Sequence, residues 1–173
     1  MLLSEILNGI DCSDGLSLGE NPGFDCDITA ITCDSRQAGK GSIFVCIRGG
    51  NVDGHTFAAA ALEKGAACIV TERKLGLERE ITVSDTHDFY GRAASAFFGH
   101  PARAFKVAGV TGTKGKTTVT NLMKRILTDA GNMVGLIGTI QNEIGEKVIH
   151  AENTTPEAME LESLYAQMRD AGC

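Results

Sequence analysis

Between Val107 and Leu122 the chain reads VAGVTGTKGKTTVTNL, a stretch crowded with groups suited to an anion. Gly109, Gly112 and Gly115 carry no side chain, Lys114 and Lys116 bring two ammonium groups, and Thr111, Thr113, Thr117 and Thr118 bring four hydroxyls. Glycine lets backbone N–H groups curl round an anion without Cβ clashes, and a helix N-terminus adds unsatisfied donors and a positive dipole end. Lys116 is placed to neutralise the β- and γ-phosphates of a nucleoside triphosphate, with the Thr117 hydroxyl as a ligand for Mg²⁺ and Thr118 lending a further hydroxyl. The backbone around Gly112, Thr113, Lys114 and Gly115 would form the cradle. Such crowding suits ATP.

A phosphate loop works between a strand and a helix. FKVAGV (105–110) predicts the strand, and Val119, Leu122, Met123, Ile126, Leu127 and Ala130 recur at helical spacing. They predict a helix with one buried face, closed by Gly131. One departure from the common pattern is Val110, where G-x-x-x-x-G-K-[ST] requires glycine. The chain shows no NKxD guanine-reading motif and no switch aspartate in DxxG context after the loop, which argues weakly against a GTPase. The loop alone leaves a small-molecule kinase open.

Strand and helix signals alternate along the chain and predict an α/β fold. DITAITCDSR (27–36) and SIFVCIRG (42–49) read as strands joined by the turn QAGKG, followed by a helix over 55–66 that Gly65 ends. ACIVTE (67–72) and ITVSD (81–85) read as strands. THDFYGRAASAFFGHP (86–101) reads as a helix with an apolar stripe, closed by Gly99 and Pro101. The break at GHP places a domain boundary near residue 103. It gives a small N-terminal α/β domain (1–103) and the first part of a phosphate-loop, mostly parallel-sheet domain (104–173). The ending MRDAGC, at a helix-capping glycine, suggests part of a longer protein.

At 173 residues the chain has room for one domain and part of another, and 43% apolar with 22% charged residues is the balance of a globular protein. A net charge of -6 argues against a general nucleic-acid or anionic-membrane binder, since either wants a basic face. No apolar run approaches the roughly 20 residues that span a bilayer. Glu5 and Asp11 near the N-terminus suit a short amphipathic helix, not a signal peptide. The six cysteines form no CxxC and no zinc-like cluster with histidine, so reduced thiols in a cytoplasmic protein are expected.

The loop GVTGTKGKTT resembles that of the Mur ligases, ATP-dependent amide-forming enzymes of peptidoglycan assembly. Three further segments resemble, in order, the members that add the third peptide residue to UDP-N-acetylmuramoyl-L-alanyl-D-glutamate. They are CDSRQAGKGSIFVCIRGGNVDGHTFAAAALEKGAACIV (33–70), LIGTIQ (136–141) and NTTPEAMELESLYAQM (153–168). The resemblance implies attack of the D-glutamate γ-carboxylate on ATP to give an acyl phosphate, from which the amine of diaminopimelate or lysine displaces phosphate. It implies ATP and Mg²⁺ as cofactors, the UDP-muramoyl-dipeptide and a diamino acid as substrates, and a monomeric full-length enzyme. Neighbouring peptide-adding ligases and folylpolyglutamate synthase share the loop, and a non-catalytic nucleotide-binding module remains a different class of reading.

The resemblance also implies roles by position. Ser35, beside Asp34, and the Gly50-Asn51-Val52 segment would line the uridine nucleotide site, and Asn153, Thr154 and Thr155 would contact the muramoyl-dipeptide. Lys114 stands where many relatives carry asparagine. Local readings stand beside these. DSR also suits a polar turn in which Arg36 pairs with its neighbours, and Thr155-Pro156 also suits a helix N-cap followed by proline at the first position. His55 reads as a turn or helix-start residue.

Overall fold

Ser42, Ile43, Phe44 and Val45 are all buried, and a strand buried on both faces reads as an unbroken run, not an alternation. In the computed structural model, which describes residues 1–10, 23–50, 52–151 and 155–173, this strand is β2 of a four-stranded sheet. Its neighbours are β1 (Ala30–Thr32), β3 (Cys68–Thr71) and β4 (Glu80–Thr82), in the order β1-β2-β3-β4 and parallel throughout. The two strands expected on either side of QAGKG are therefore parallel neighbours. Residues 33–41 carry the chain back along the sheet rather than reversing it.

The expected helix over 55–66 begins as a 3₁₀ turn, Gly54–Phe57, before α2 (Ala58–Glu63). Ala58, Ala61 and Ala66 pack with Phe44, Cys46 and Ile69 into one core layer. Alternation turns Ile43, Val45, Cys68 and Val70 to the other face, where they are equally buried. The N-terminal helix α1 (Leu3–Gly9) buries Leu3 and Ile6 and packs against α3 (Thr86–Phe97), which also contacts β1. In α3 the expected stripe buries Phe89, Tyr90, Ala93 and Ala94.

The chain divides into two compact units, Met1–Phe97 and Phe98–Cys173, and the sequence placed the division a few residues later. The second unit holds α4 (Lys116–Asp129), β5 (Gly135–Leu136), β6 (Gln141–Ile144), β7 (Lys147–His150) and α5 (Ala158–Asp170). α5 buries Leu164 and Met168, and packs on a 3₁₀ turn at Pro101–Ala104. The ring of Tyr165 meets Phe105 edge-on at 5.6 Å.

The described strands of the second unit pair antiparallel, in the order β5-β6-β7. Three expectations for this unit are corrected. FKVAGV forms no strand: a strand exists by pairing, and β5, β6 and β7 pair with one another instead. α4 forms as expected, yet none of its residues is buried, and Leu122 and Ile126 are each 58% exposed. α5 starts later than Thr155: Glu157, in extended conformation, holds the N-cap position, and its carbonyl accepts the Leu161 N–H at 2.8 Å. Pro156 thus becomes a buried residue ahead of the helix, and Thr155 is exposed.

Candidate functional site

Residues 106–115 run without regular structure into the N-terminus of α4. Gly115 holds the N-cap position with φ 81°, a left-handed conformation that strains any residue with a Cβ, and a Cβ there would meet nothing within 4 Å. Its carbonyl accepts the Val119 N–H at 2.9 Å, the first bond of the helix. Gly112 also takes a positive φ, 154°. The Lys116 ammonium folds back over the bend and donates to the Gly112 carbonyl at 2.6 Å. Thr113, Lys114, Thr117 and Thr118 are exposed. The bend is open, no side chain is packed into it at Gly115, and its lysine lies across it.

A cleft of about 120 Å³ flanks the first turns of α4, lined by Thr117, Thr120 and Asn121 on the helix and by Leu136, Gly138 to Gln141, and Glu143 opposite. The Thr120 hydroxyl and the Asn121 amide both donate to the Thr117 carbonyl, so the cleft's helical wall is braced by its own side chains. Lys124 and Glu143 form an ion pair beside it. That pairing, together with the Gln141 amide, holds the Glu143 carboxyl below the usual range against the opposing effect of burial. Sequence reasoning overlooked Thr120, Asn121, Lys124 and Glu143, because polar residues on a helix face and in a short strand carry no pattern of their own.

In the first unit the candidate residues follow the carboxyl ends of the parallel strands, where open α/β sheets place ligands. Ser35 lies in the turn after β1, half-buried, with its carbonyl accepting from Lys64 Nζ at 2.7 Å. The local reading of DSR is realised in that turn. Arg36 grips both oxygens of Asp34 at 2.7 to 3.0 Å, which, with the Arg36 N–H, lowers that carboxyl to about 2. Gly50 and Val52 lie in the exposed loop after β2, whose ends are tied by a bridge between Arg48 and Asp53 and by the Gly49 N–H donating to the Val52 carbonyl at 2.9 Å. Asn51, Asn153 and Thr154 lie outside the described residues. Thr155 belongs to the second unit.

His55 stands at the helix start, as read, but it is 5% exposed and fully engaged. Its ring Nε2 accepts the Glu72 N–H at 3.1 Å, which leaves the proton on Nδ1, 2.6 Å from Asp53 Oδ1. Asp53 also accepts the His55 N–H, and its second oxygen accepts from Arg73 at 3.0 Å. These donors hold its carboxyl far below the usual range. Arg73 and Glu72 follow β3, so this cluster too sits at the carboxyl edge. The D-x-H spacing was visible in the sequence; its partners, about twenty residues on, gave no signal.

This α/β chain, with its glycine-bounded bend at a helix start and polar loops at the carboxyl ends of a parallel sheet, belongs to the Mur ligase family by its sequence. The family's catalytic domain matches residues 27–125, and the Mur ligase middle domain matches residues 110–173. Similar proteins include the UDP-N-acetylmuramoyl-L-alanyl-D-glutamate--2,6-diaminopimelate ligase of Halalkalibacterium halodurans, 42% identical over 84% of this chain and 30% of its own length. The enzyme of the same name from Clostridioides difficile is 40% identical over 100% of this chain and 35% of its own. Among solved structures, a ligase of that name superposes with TM-score 0.64 at 25% identity, over 84% of this chain and 30% of that one. The MurF ligase of Thermotoga maritima, in complex with ADP, superposes with TM-score 0.51 at 25% identity, over 79% of this chain and 28% of its own. The chain thus spans about a third of the length of these curated relatives. Among the described residues, no helix is long and apolar enough to cross a membrane.

Proposed function

We propose that this chain forms the nucleotide-handling part of a cytoplasmic ATP-dependent ligase that adds a diamino acid to UDP-N-acetylmuramoyl-L-alanyl-D-glutamate. The observation that carries the reading is the bend from Gly112 to Lys116: open, glycine-bounded, set on the N-terminus of a fourteen-residue helix, and crossed by an ammonium. The name carried by its relatives supports the choice of substrate, with diaminopimelate as the diamino acid.

The residues present fit ATP and Mg²⁺. The backbone of Gly112 to Thr117 offers amides at a positive dipole end, in space that side chains leave open. Lys116 would exchange the Gly112 carbonyl for the nucleotide's terminal oxygens, and Thr117 would hold the metal. Bound Mg²⁺ would supply charge neutralisation for phosphoryl transfer. Lys116 is the catalytic residue of this segment, because phosphoryl transfer to a carboxylate is accelerated chiefly by positioning and by charge aimed at the transferring group. Thr113, Lys114, Gly115 and Thr118 complete the ATP contacts. Ser35, Gly50, Asn51 and Val52 receive the uridine nucleotide in the first unit, and Asn153, Thr154 and Thr155 receive the muramoyl-dipeptide.

The test is Lys116→Ala in the full-length protein that carries this segment. ATP binding should be lost and binding of the UDP-muramoyl-dipeptide kept. Equal ATP affinity in the variant overturns the assignment of the bend. The 173-residue chain alone should show no ligase turnover.

A further inference from the structure

The loop after β2 is closed by a backbone bridge between Arg48 and Asp53, and both carboxylate oxygens of Asp53 are engaged: Oδ1 by the backbone and ring of His55, Oδ2 by Arg73. His55 is fixed in turn by the Glu72 N–H, and the Glu72 carboxylate accepts both the N–H and the hydroxyl of Thr86 at the start of α3, at 3.0 and 2.8 Å. One continuous chain of hydrogen bonds therefore runs from α3, past the end of β3, to the loop that holds Gly50 and Val52. Directly behind it Gly54 lies so close to Ile47 that a Cβ would stand 2.6 Å from the Ile47 carbonyl oxygen. Backbone and side chain together fix the loop's exit.

A loop held in one conformation before its ligand arrives binds more tightly than one that must be ordered on binding. We infer that His55 is a positioning residue: acting through Asp53, it sets the conformation of the loop at Gly49, Gly50 and Val52 and thereby the affinity for a uridine nucleotide. The inference rests on the proposed reading of that loop as nucleotide-lining. His55 itself is buried, with its ring held between Asp53 and the Glu72 N–H. Arg73, with a side chain 56% exposed, steadies the second oxygen from outside.

The experiment uses the full-length protein that carries this segment, with UDP and uridine as separate equilibrium-binding probes and ATP binding as a control. His55→Phe keeps an aromatic ring, somewhat larger than imidazole, and removes both ring hydrogen bonds. It should weaken UDP and uridine alike by about tenfold, the scale of one charge-assisted hydrogen bond. ATP affinity should be unchanged. His55→Asn returns a donor to Asp53 and should restore most of the loss, a rescue that a merely volume-filling role would not give. Amide exchange at Gly49 and Gly54 should quicken in His55→Phe and slow again in His55→Asn.

If His55→Phe does not fold, the exposed Arg73→Met decides, with a smaller loss, about threefold, expected equally for both probes. A loss confined to UDP would mean that Arg73 touches phosphate directly, and overturns the inference. So does unchanged affinity in the folded variant, or a His55→Asn as weak as His55→Phe. Wild-type protein that binds neither probe overturns the nucleotide reading of the loop and this inference with it. Binding that His55→Phe leaves untouched sinks the inference alone.

Discussion

The Lys116 ammonium donates to the carbonyl oxygen of Gly112 at 2.6 Å, so the side chain bridges the bend whose backbone it follows. The contact is solvent-accessible, and such contacts add little to stability. Lys116→Met should therefore leave the thermal midpoint of the chain within about 2 °C, matching a change of about 0.5 kcal/mol or less, while ATP binding by the full-length protein disappears. A large drop in the midpoint would show that the lysine serves the fold instead.

The second unit separates packing that is complete from packing that is not. Leu164 and Met168 are each 4% exposed, so Leu164→Ala should cost about 2–5 kcal/mol. Leu122→Lys and Ile126→Lys, on the exposed stripe of α4, should change the chain's stability by about 0.5 kcal/mol or less. Denaturant unfolding of the three variants checks both. Loss at Ile126 as large as at Leu164 would mean that the stripe is covered in solution.

Five carboxylates of the first unit are held in their charged form: Asp25 by Ser4, Asp34 by Arg36, Asp53 by His55 and Arg73, Glu72 by Thr86, and Glu80. Burial works to raise the Glu80 carboxyl, but the amides of Leu75, Gly76 and Leu77 and the Thr71 hydroxyl outweigh it and leave it lowered. A folded-state pKa below the unfolded one gives stability that is full above the unfolded value and is lost as pH falls through the folded one. The midpoint should accordingly be flat above about pH 5 and fall as pH drops through 4 and below. Glu80→Gln should lower it at pH 7 and make the acid slope shallower. An unchanged slope would remove Glu80 from the account.

Burial raises the thiols of Cys46 and Cys68 to about 12, and both are 0% exposed. The thiolate is the reactive form, so neither should be alkylated at pH 8 until the first unit unfolds. Cys26, Cys33 and Cys173, partly exposed, should react before them. Mass spectrometry of the alkylated native protein reads the order directly, and early labelling of Cys46 would contradict the packing around β2.

Much of the first unit was legible because its signals are local. The apolar runs at 42–45 and 68–71 and the stripe at Phe89, Tyr90 and Ala93 each state their own burial. The parallel pairing of β1 with β2 was not legible, since no residue in QAGKG announces whether the chain turns back or crosses over. In the second unit, local pattern predicted α4 and its Gly131 cap, where the Asn132 and Gly131 N–H groups return to Leu127 and Thr128. It could not say what the helix packs against. FKVAGV failed as a strand for the same reason: pairing is a property of neighbours. The bend at Gly112 to Lys116 was read from glycine and lysine spacing, whereas the Asp53–His55–Glu72 chain joins residues too far apart for spacing to reveal.

Glu80 gives the turn at Leu75 to Leu77 a tenant of its own. Three amides and a hydroxyl converge on a carboxylate that the same polypeptide supplies, so its effective concentration far exceeds that of any free metabolite. Phosphate or citrate in the cell cannot compete for that seat, and dilution cannot empty it. The turn is thereby shaped by its own chain and not by the small anions around it.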